Sequence, residues 1–293
     1  MRSDDVVSRE NILSRFYQIY VRDIGEGYFM YNNKMYYLSN VIPSDTILRY
    51  YQLYLQQLGK QGYYIVKNVF GHMQSDGYIL YTYEVEPYDV TAILKQSLQL
   101  IPEEYASLLA IKESWGHIID DARKSVAKYA SRLNHIEYYV VLSYYYQGIG
   151  ENVISLMNEI MARYNNASLP VGFTHLVFEN TYDSIYNPTN FVISTRVRDL
   201  ALAYQENIID MAMLDPLLPA LSELEIMYLY LRTLFPSNFF SLVLHERKPE
   251  VMKEKLITIY QRIDHEKERN IQLYEGLQQY SYIPPIHWLF EQT

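Results

Sequence analysis

The spacing of the apolar residues changes at Glu86-Pro87, and this change limits the possible folds more than any other feature. Before it, short aromatic-rich runs and one amphipathic segment are separated by turn residues, which predicts strands and a helix. After it, apolar residues recur at three- and four-residue spacing over long stretches, which predicts helices. The sequence therefore predicts an α+β protein with an N-terminal α+β lobe over 1–88 and a helical C-terminal lobe over 89–293.

In the N-terminal lobe, turn and cap residues set the predicted element boundaries. Asn32-Asn33 tolerates the positive φ angles of a tight hairpin turn, and Ser44 is a good N-cap for a helix that Gly59 stops. Asp76-Gly77 marks a further turn. The predicted elements are a helix over 12–24, strands over 28–31 and 35–38, a helix over 45–58, and strands over 63–70 and 78–85.

In the C-terminal lobe, helical spacing predicts one long helix from about Glu103 to Leu133. We expect the Gly148-x-Gly150 sequence to break the following helical pattern, with Glu151 and Asn152 capping the next helix. The remaining predicted elements are helices over 136–148 and 151–163, an irregular segment with a short strand over 173–195, helices from 198 onward, a long helix after 249 and an extended tail over 283–288. The long helix is predicted to have one apolar face and one charged face that is solvated.

Composition and charge exclude several kinds of protein. The chain has 293 residues, 25 Lys and Arg, 34 Asp and Glu, and no cysteine. The net charge of −9, without a basic cluster, disfavours nucleic-acid binding, because neutralising phosphates requires clustered cations. The absence of cysteine excludes disulfides, thiol catalysis and Cys-type zinc sites. No apolar stretch approaches the ~20 residues of a membrane span and no secretory signal is evident, so we expect a cytosolic protein.

Tyrosine is unusually abundant, with 32 residues against 10 Phe and 2 Trp. Doublets and triplets such as Tyr63-Tyr64 and Tyr144–Tyr146 place neighbouring rings on different faces, so some rings must be exposed. Exposed tyrosines are good interface anchors and can be oxidised to dityrosine. The alternative is that tyrosine only replaces phenylalanine in core and boundary positions.

Three stretches carry a family resemblance through their order and spacing. Residues 144–154 read Tyr-Tyr-Tyr-Gln-Gly-Ile-Gly-Glu-Asn-Val-Ile, residues 111–115 read Ile-Lys-Glu-Ser-Trp, and Thr174-His175 precedes Arg-Val-Arg-Asp-Leu-Ala at 196–201. Together they resemble the spore-coat-associated kinase-like proteins (the CotS/YutH group) of the aminoglycoside and choline phosphotransferase superfamily. The resemblance covers most of the chain. It implies a protein-kinase-like bilobal fold with a small N-lobe, built of an antiparallel sheet plus helix, and a larger, mostly helical C-lobe.

The resemblance also assigns catalytic positions, and their residues lack the required chemistry. Val177 stands at the catalytic base, Tyr182 and Ser194 at the two magnesium ligands, and Ser39 near the phosphate-binding lysine. The first hairpin turn lacks the glycines that cradle phosphates. Lys34 and Lys67 do not fit the lysine pattern, and Asp183 and Asn187 lie at the wrong spacing from His175. Because losing one such group typically costs about 10² to 10³ in rate, losing all of them predicts a pseudokinase without a metal or nucleotide cofactor.

Some residues do match the motifs of the family, and a structural role explains each of them better than a catalytic one. His175 is expected to support its loop by packing and hydrogen bonding. Asp199, near the start of a helix, suits N-terminal capping better than catalysis, and Glu151 and Asn152 suit the same role.

These observations predict a structural or assembly component of the bacterial spore coat, with other coat proteins as partners. The resemblance implies that it is made in the cytoplasm of the sporulating mother cell and then enters the coat. ATP binding is doubtful. Two alternatives stay open: a small-molecule phosphotransferase that uses Asp183, Glu179 or Asp199, and a regulator that binds a nucleotide or metabolite without turnover.

Overall fold

The computed structural model describes residues 9–22, 24–133, 139–164, 167–284 and 286. The chain is α+β with antiparallel sheets and about 58% helix, which confirms the fold class at this level. It divides into two compact units. Unit 1 comprises residues 1–99 and 173–193, and unit 2 comprises residues 100–172 and 194–293. The sequence placed the boundary at residue 88, whereas the first unit also includes 89–99 and 173–193.

Unit 1 contains an antiparallel sheet whose turns follow the sequence signals. Asn32 and Asn33 have φ angles of 49° and 59°, which gives the primed hairpin turn predicted for them. Asp76 and Gly77, with φ angles of 47° and 80°, make the second such turn. The strands are β1 Tyr28–Tyr31, β2 Lys34–Ser39, β3 Tyr63–Val66, β4 Gln74–Ser75 and β5 Tyr78–Tyr83, in the order β1-β2-β5-β3, with β4 paired to β5.

Two helices, α1 Asp45–Leu58 and α2 Val90–Ser97, accompany this sheet. The Ser44 hydroxyl accepts a hydrogen bond from the Ile47 amide at 3.3 Å, and Gly59 ends α1 with a φ angle of 63°, as predicted. The predicted helix over 12–24 is wrong in its length. A π-helical turn Leu13–Tyr17 ends because Gln18 adopts the left-handed conformation, with a φ angle of 56°.

Residues 173–193 join unit 1 through aromatic packing. They include the end of strand β7 Ser168–His175, the short helix α3 Tyr182–Tyr186 and the start of strand β8 Phe191–Thr195. The rings of Phe173 and Phe191 stack with centroids 4.5 Å apart, and Tyr54 of α1 lies 6.0 Å and 5.0 Å from them. These ring contacts explain why the segment belongs to the first unit rather than to its sequence neighbours.

Most of unit 2 is helical. The helix predicted from about residue 103 begins instead at Leu108, because Tyr105–Ser107 forms strand β6, which pairs with residues 168–170 of β7. The helices are α4 Leu108–Leu133, α5 Tyr139–Arg163, α6 Arg198–Gln205, α7 Met211–Leu214, α8 Glu223–Leu234, α9 Ser237–His245 and α10 Pro249–Leu277.

The predicted helix break at Gly148-x-Gly150 is wrong, because α5 continues through both glycines. A Cβ added at Gly150 would lie 3.0 Å from Ile119 and 3.2 Å from Phe240, so the glycine permits close packing of neighbouring helices. Glu151 and Asn152 are therefore interior helix residues and not caps. The Asn152 side chain donates to the Gly148 carbonyl at 2.7 Å, and Glu151 forms an ion pair with Arg123.

An ion pair with a buried carboxylate stabilises the start of α8. The Arg196 guanidinium donates to both carboxylate oxygens of Glu225, one of them at 2.8 Å. Glu225, only 2% exposed, also forms a capping box with Ser222. Burial raises the pKa of Glu225, but the hydrogen bonds from Arg196 and Ser222 outweigh it and hold that pKa below its usual value.

The last long helix begins at Pro249, one residue before the predicted start, and its charged face is not simply solvated. Arg269 donates to the carbonyls of Tyr204 at 2.7 Å and Ile209 at 3.0 Å. The predicted extended tail over 283–288 falls largely outside the described residues. In the part of the chain that the structure describes, none of the helices is long and apolar enough to cross a bilayer.

Candidate functional site

The segment with the predicted catalytic residues begins at His175, which is fully buried at the end of β7. Its Nε2 atom lies 3.0 Å from the Ile185 carbonyl. Its ring lies 4.4 Å from the ring of Phe191 and 5.2 Å from that of Phe178. His175 therefore connects the end of the strand to helix α3 and fixes the loop between them.

Val177, at the predicted base position, is 52% exposed. The Asn190 side chain holds its backbone from both sides, accepting from the Val177 amide at 3.1 Å and donating to its carbonyl at 2.8 Å. Two hydrogen bonds from one side chain thus fix the loop at the position that the resemblance assigns to the catalytic base. An isopropyl group can neither accept a proton nor bind a metal.

Tyr182, at the first predicted magnesium position, points into a group of aromatic rings. It is buried, and its ring centroid lies 4.8 Å from Tyr186, 5.9 Å from Tyr83 and 6.2 Å from Tyr63. Burial, followed by the nearby Glu86 carboxylate, raises the pKa of the Tyr182 phenol above its usual range. This phenol therefore stays neutral and offers no charged oxygen to a metal ion.

Asp183, the carboxylate that directly follows Tyr182 in the sequence, forms a hydrogen bond with a tyrosine. The Tyr63 hydroxyl donates a hydrogen bond to Asp183 Oδ1, and the aspartate is half-buried. Burial and then this hydrogen bond raise the pKa of Tyr63 far above the usual value, so the phenol keeps its proton and acts as the donor.

Three further tyrosine hydroxyls hold the same segment. Tyr51 donates to the Tyr186 carbonyl at 2.6 Å and accepts from the Tyr63 amide at 2.8 Å. The Asn187 side chain donates to the Tyr28 hydroxyl at 2.7 Å, and Tyr88 donates to Asn180 at 3.1 Å. We call this group the tyrosine cluster: Tyr28, Tyr51, Tyr63, Tyr83, Tyr88, Tyr182 and Tyr186, with Asp183.

The other predicted positions in unit 1 lie outside this cluster. Ser39 is buried, and its hydroxyl forms hydrogen bonds of 3.0 Å with the backbone of Val41. Lys34, Lys67 and Glu179 have exposed side chains.

Two predicted positions belong to unit 2. Ser194 is half-buried in β8. Asp199 is fully buried in the first turn of α6, whose N-cap residue is Val197. Burial lowers the pKa of the adjacent Arg198, and the negative charge of Asp199 opposes that change. Asp199 thus lies beside a cation at the positive end of a helix, where a carboxylate is favourable.

The tyrosine hydroxyl network was not predicted from the sequence. Tyr51 and Tyr186 are 135 residues apart, and no local spacing links them. The one available signal was the excess of tyrosine over phenylalanine, because a buried aromatic residue needs its hydroxyl only where a polar partner is present.

The cluster holds backbone through the Tyr51 hydroxyl, and its carboxylate accepts a hydrogen bond from Tyr63. Among the described residues, no group of three or more His, Asp or Glu side chains is arranged to hold a metal ion.

In comparisons with known proteins, no family model, no curated protein and no solved structure matches this chain. The family resemblance therefore depends on the sequence motifs alone.

Proposed function

We propose that this protein is a kinase-like bilobal protein without catalytic activity that acts as a structural or assembly component of the bacterial spore coat. The observation that carries the proposal is the placement of Tyr182 and Asp183. The first is packed among tyrosine rings, and the second accepts a hydrogen bond from Tyr63. The resemblance calls for a magnesium-binding amide oxygen at the position of Tyr182, whereas this side chain packs among tyrosine rings, and the carboxylate beside it is engaged by Tyr63.

The exposed tyrosines support an assembly role. Tyr20 is 72% exposed and Tyr144 is 73% exposed. Large amphipathic rings on the surface contribute strongly to protein interfaces when they become buried there.

The absence of catalysis is tested by adding ATP to the purified protein, with and without Mg²⁺, and measuring heat of binding and ADP release. We expect neither metal-dependent binding nor turnover. Metal-dependent turnover that is lost in Asp183→Asn would establish the phosphotransferase alternative. Binding without turnover would establish the regulator.

The coat assignment is tested separately with a fluorescent fusion in sporulating cells. We expect a ring of fluorescence around the forespore, and uniform fluorescence in the mother cell would contradict the assignment. Replacing Tyr20 and Tyr144 with serine should weaken the ring, whereas Tyr37→Phe, a change within the ring stacks of unit 1, should leave it intact.

A further inference from the structure

Unit 2 contains a cavity of about 390 Å³ that none of the predicted catalytic residues lines. Its walls come from the first half of α5, the end of α6, the loop between α8 and α9, and the middle of α10. The volume lies in the range of sites that bind small molecules. Five side chains that carry or can carry a charge line it: Glu206, Arg262, His265, Glu266 and Arg269.

Glu266 places a partly desolvated carboxylate in this cavity. The Tyr146 hydroxyl donates to its Oε2 atom at 2.9 Å. Within the described part of the chain, no hydrogen bond reaches its other oxygen. Burial raises the pKa of Glu266, and the Glu206 carboxylate adds to the increase, whereas Tyr146 and Arg262 lower it. A cationic group entering the cavity would find an available carboxylate oxygen.

Arg262 lies one helical turn before Glu266 on α10 and lines the same cavity. Its charge acts on Glu266, yet no hydrogen bond or ion pair with a described residue holds its guanidinium. Arg269 differs, because its guanidinium is engaged by Asn207 and by the carbonyls of Tyr204 and Ile209. The cavity therefore offers one carboxylate oxygen and one guanidinium that do not bind each other directly.

Aromatic rings form the apolar part of the wall. The rings of Tyr145 and Tyr146 meet edge to face at 5.1 Å, and Phe239 stacks on Tyr146 at 4.7 Å. Ile149 adds an aliphatic surface. Such a wall favours a flat or branched apolar group next to the two charges.

We propose that this cavity binds a free α-amino acid with an aromatic or large aliphatic side chain. Its ammonium group would bind Glu266, its carboxylate would bind Arg262, and its side chain would lie against Tyr145, Tyr146 and Phe239. A zwitterion meets both charges at once, whereas a simple amine or a simple acid leaves one of them without a partner in the site. The proposal does not depend on the function proposed above.

Isothermal titration calorimetry with matched probes tests the ligand class. L-phenylalanine carries both charges, phenethylamine lacks the carboxylate, and 3-phenylpropionate lacks the ammonium group. We expect L-phenylalanine and L-leucine to bind, and each truncated probe to bind at least tenfold more weakly than L-phenylalanine. No binding of either amino acid at millimolar concentration, or equal affinity for phenethylamine, would overturn the proposal.

Single substitutions test the assigned contacts. Glu266→Gln and Arg262→Gln should each weaken L-phenylalanine binding at least tenfold, while Glu268→Gln, an exposed change on the same helix outside the cavity wall, should leave it unchanged. Arg262 is itself exposed, so its variant will fold even if Glu266→Gln weakens the core. Unchanged affinity in Arg262→Gln would refute the carboxylate contact.

Discussion

The two units differ in how deeply their charged pairs are buried. In unit 1, neutral phenols bind backbone and side-chain acceptors, as in the pairs formed by Tyr51 with Tyr186 and by Tyr63 with Asp183. In unit 2, the half-buried Arg196 forms an ion pair with the buried Glu225 at the start of α8. In unit 1, the ion pair of Lys60 with Glu86 is more exposed, with side chains 24% and 27% exposed, than the pair of Arg196 and Glu225 at 12% and 2%.

This difference has a consequence for pH dependence. Burial raises the pKa of the Tyr83 phenol to about 12, with a further contribution from Asp183, and burial likewise raises the pKa of the Tyr186 phenol to about 12. These groups keep their protons from acid to mildly alkaline pH. Glu225 has a lowered pKa, so it loses its contribution in acid. We therefore expect unit 2 to lose more stability in acid than unit 1.

The largest effect is expected from Tyr54→Ala in unit 1. Tyr54 is 2% exposed and contacts Phe173, Phe191 and His175 through its ring. Removing the ring leaves a cavity and should lower the free energy of unfolding by about 4 kcal/mol. Urea unfolding followed by second-derivative tyrosine absorbance measures it. The exposed Tyr20→Ala is the control and should change stability by less than about 0.5 kcal/mol.

The next effect is expected from Glu225→Gln in unit 2. A hydrogen bond to a charged group is worth about 1.5–3 kcal/mol, so the variant should be less stable by about that amount at pH 7. Because the folded-state pKa is lowered, the stabilisation is complete above the unfolded pKa and is lost as pH falls through the folded value. The difference between wild type and variant should therefore shrink in acid.

Trp115 provides the measurement for this pH series, since it stacks on Phe235 inside unit 2 at 4.2 Å. A Trp288→Phe background leaves Trp115 as the sole tryptophan. Glu254→Gln, an exposed change on α10, is the matched control. A gap between Glu225→Gln and wild type that stays constant from pH 7 to pH 3 would contradict the assignment of acid sensitivity to Glu225.

Features that depend on residues close in the sequence were predicted correctly, whereas features that depend on contacts between distant residues were not. The Asn32-Asn33 turn and the Ser44 and Gly59 caps depend on backbone conformation within a few residues, and the structure has them as predicted. The continuity of α5 through Gly150 depends on Ile119 and Phe240, which lie far away in sequence. A glycine costs a helix about 1 kcal/mol, and close helix packing outweighs that cost.

The candidate site was predictable only in part for the same reason. The family resemblance assigned Val177 and Tyr182 to catalytic positions, and that assignment stays a prediction. The sequence could not show that Tyr63 donates to Asp183, because the two lie 120 residues apart. The charged face of α10 was misread as solvent-exposed because helical spacing does not show that Tyr204 and Ile209 present carbonyls to Arg269.

A smaller effect is expected from Tyr51→Phe, which keeps the ring and removes only the hydroxyl. The change leaves the Tyr186 carbonyl and the Tyr63 amide without the hydrogen bonds that the hydroxyl provides. An unsatisfied buried group costs about 1–3 kcal/mol, so stability should fall by about that amount. Urea unfolding with the tyrosine absorbance signal measures the loss. Stability equal to wild type would mean that the Tyr51 ring contributes to stability and its hydroxyl does not.

The smallest effect is expected from Tyr81→Phe in the same sheet. Tyr81 is fully buried, and its hydroxyl has no hydrogen-bond partner among the described residues. Removing a buried polar group that lacks a partner should leave stability unchanged or raise it slightly. The same urea experiment compares it directly with Tyr51→Phe, since each variant loses one hydroxyl from a buried ring of unit 1. A loss as large as that of Tyr51→Phe would show that the tyrosine excess in this unit is not explained by hydroxyl partners, because a hydroxyl with partners and one without would then contribute equally.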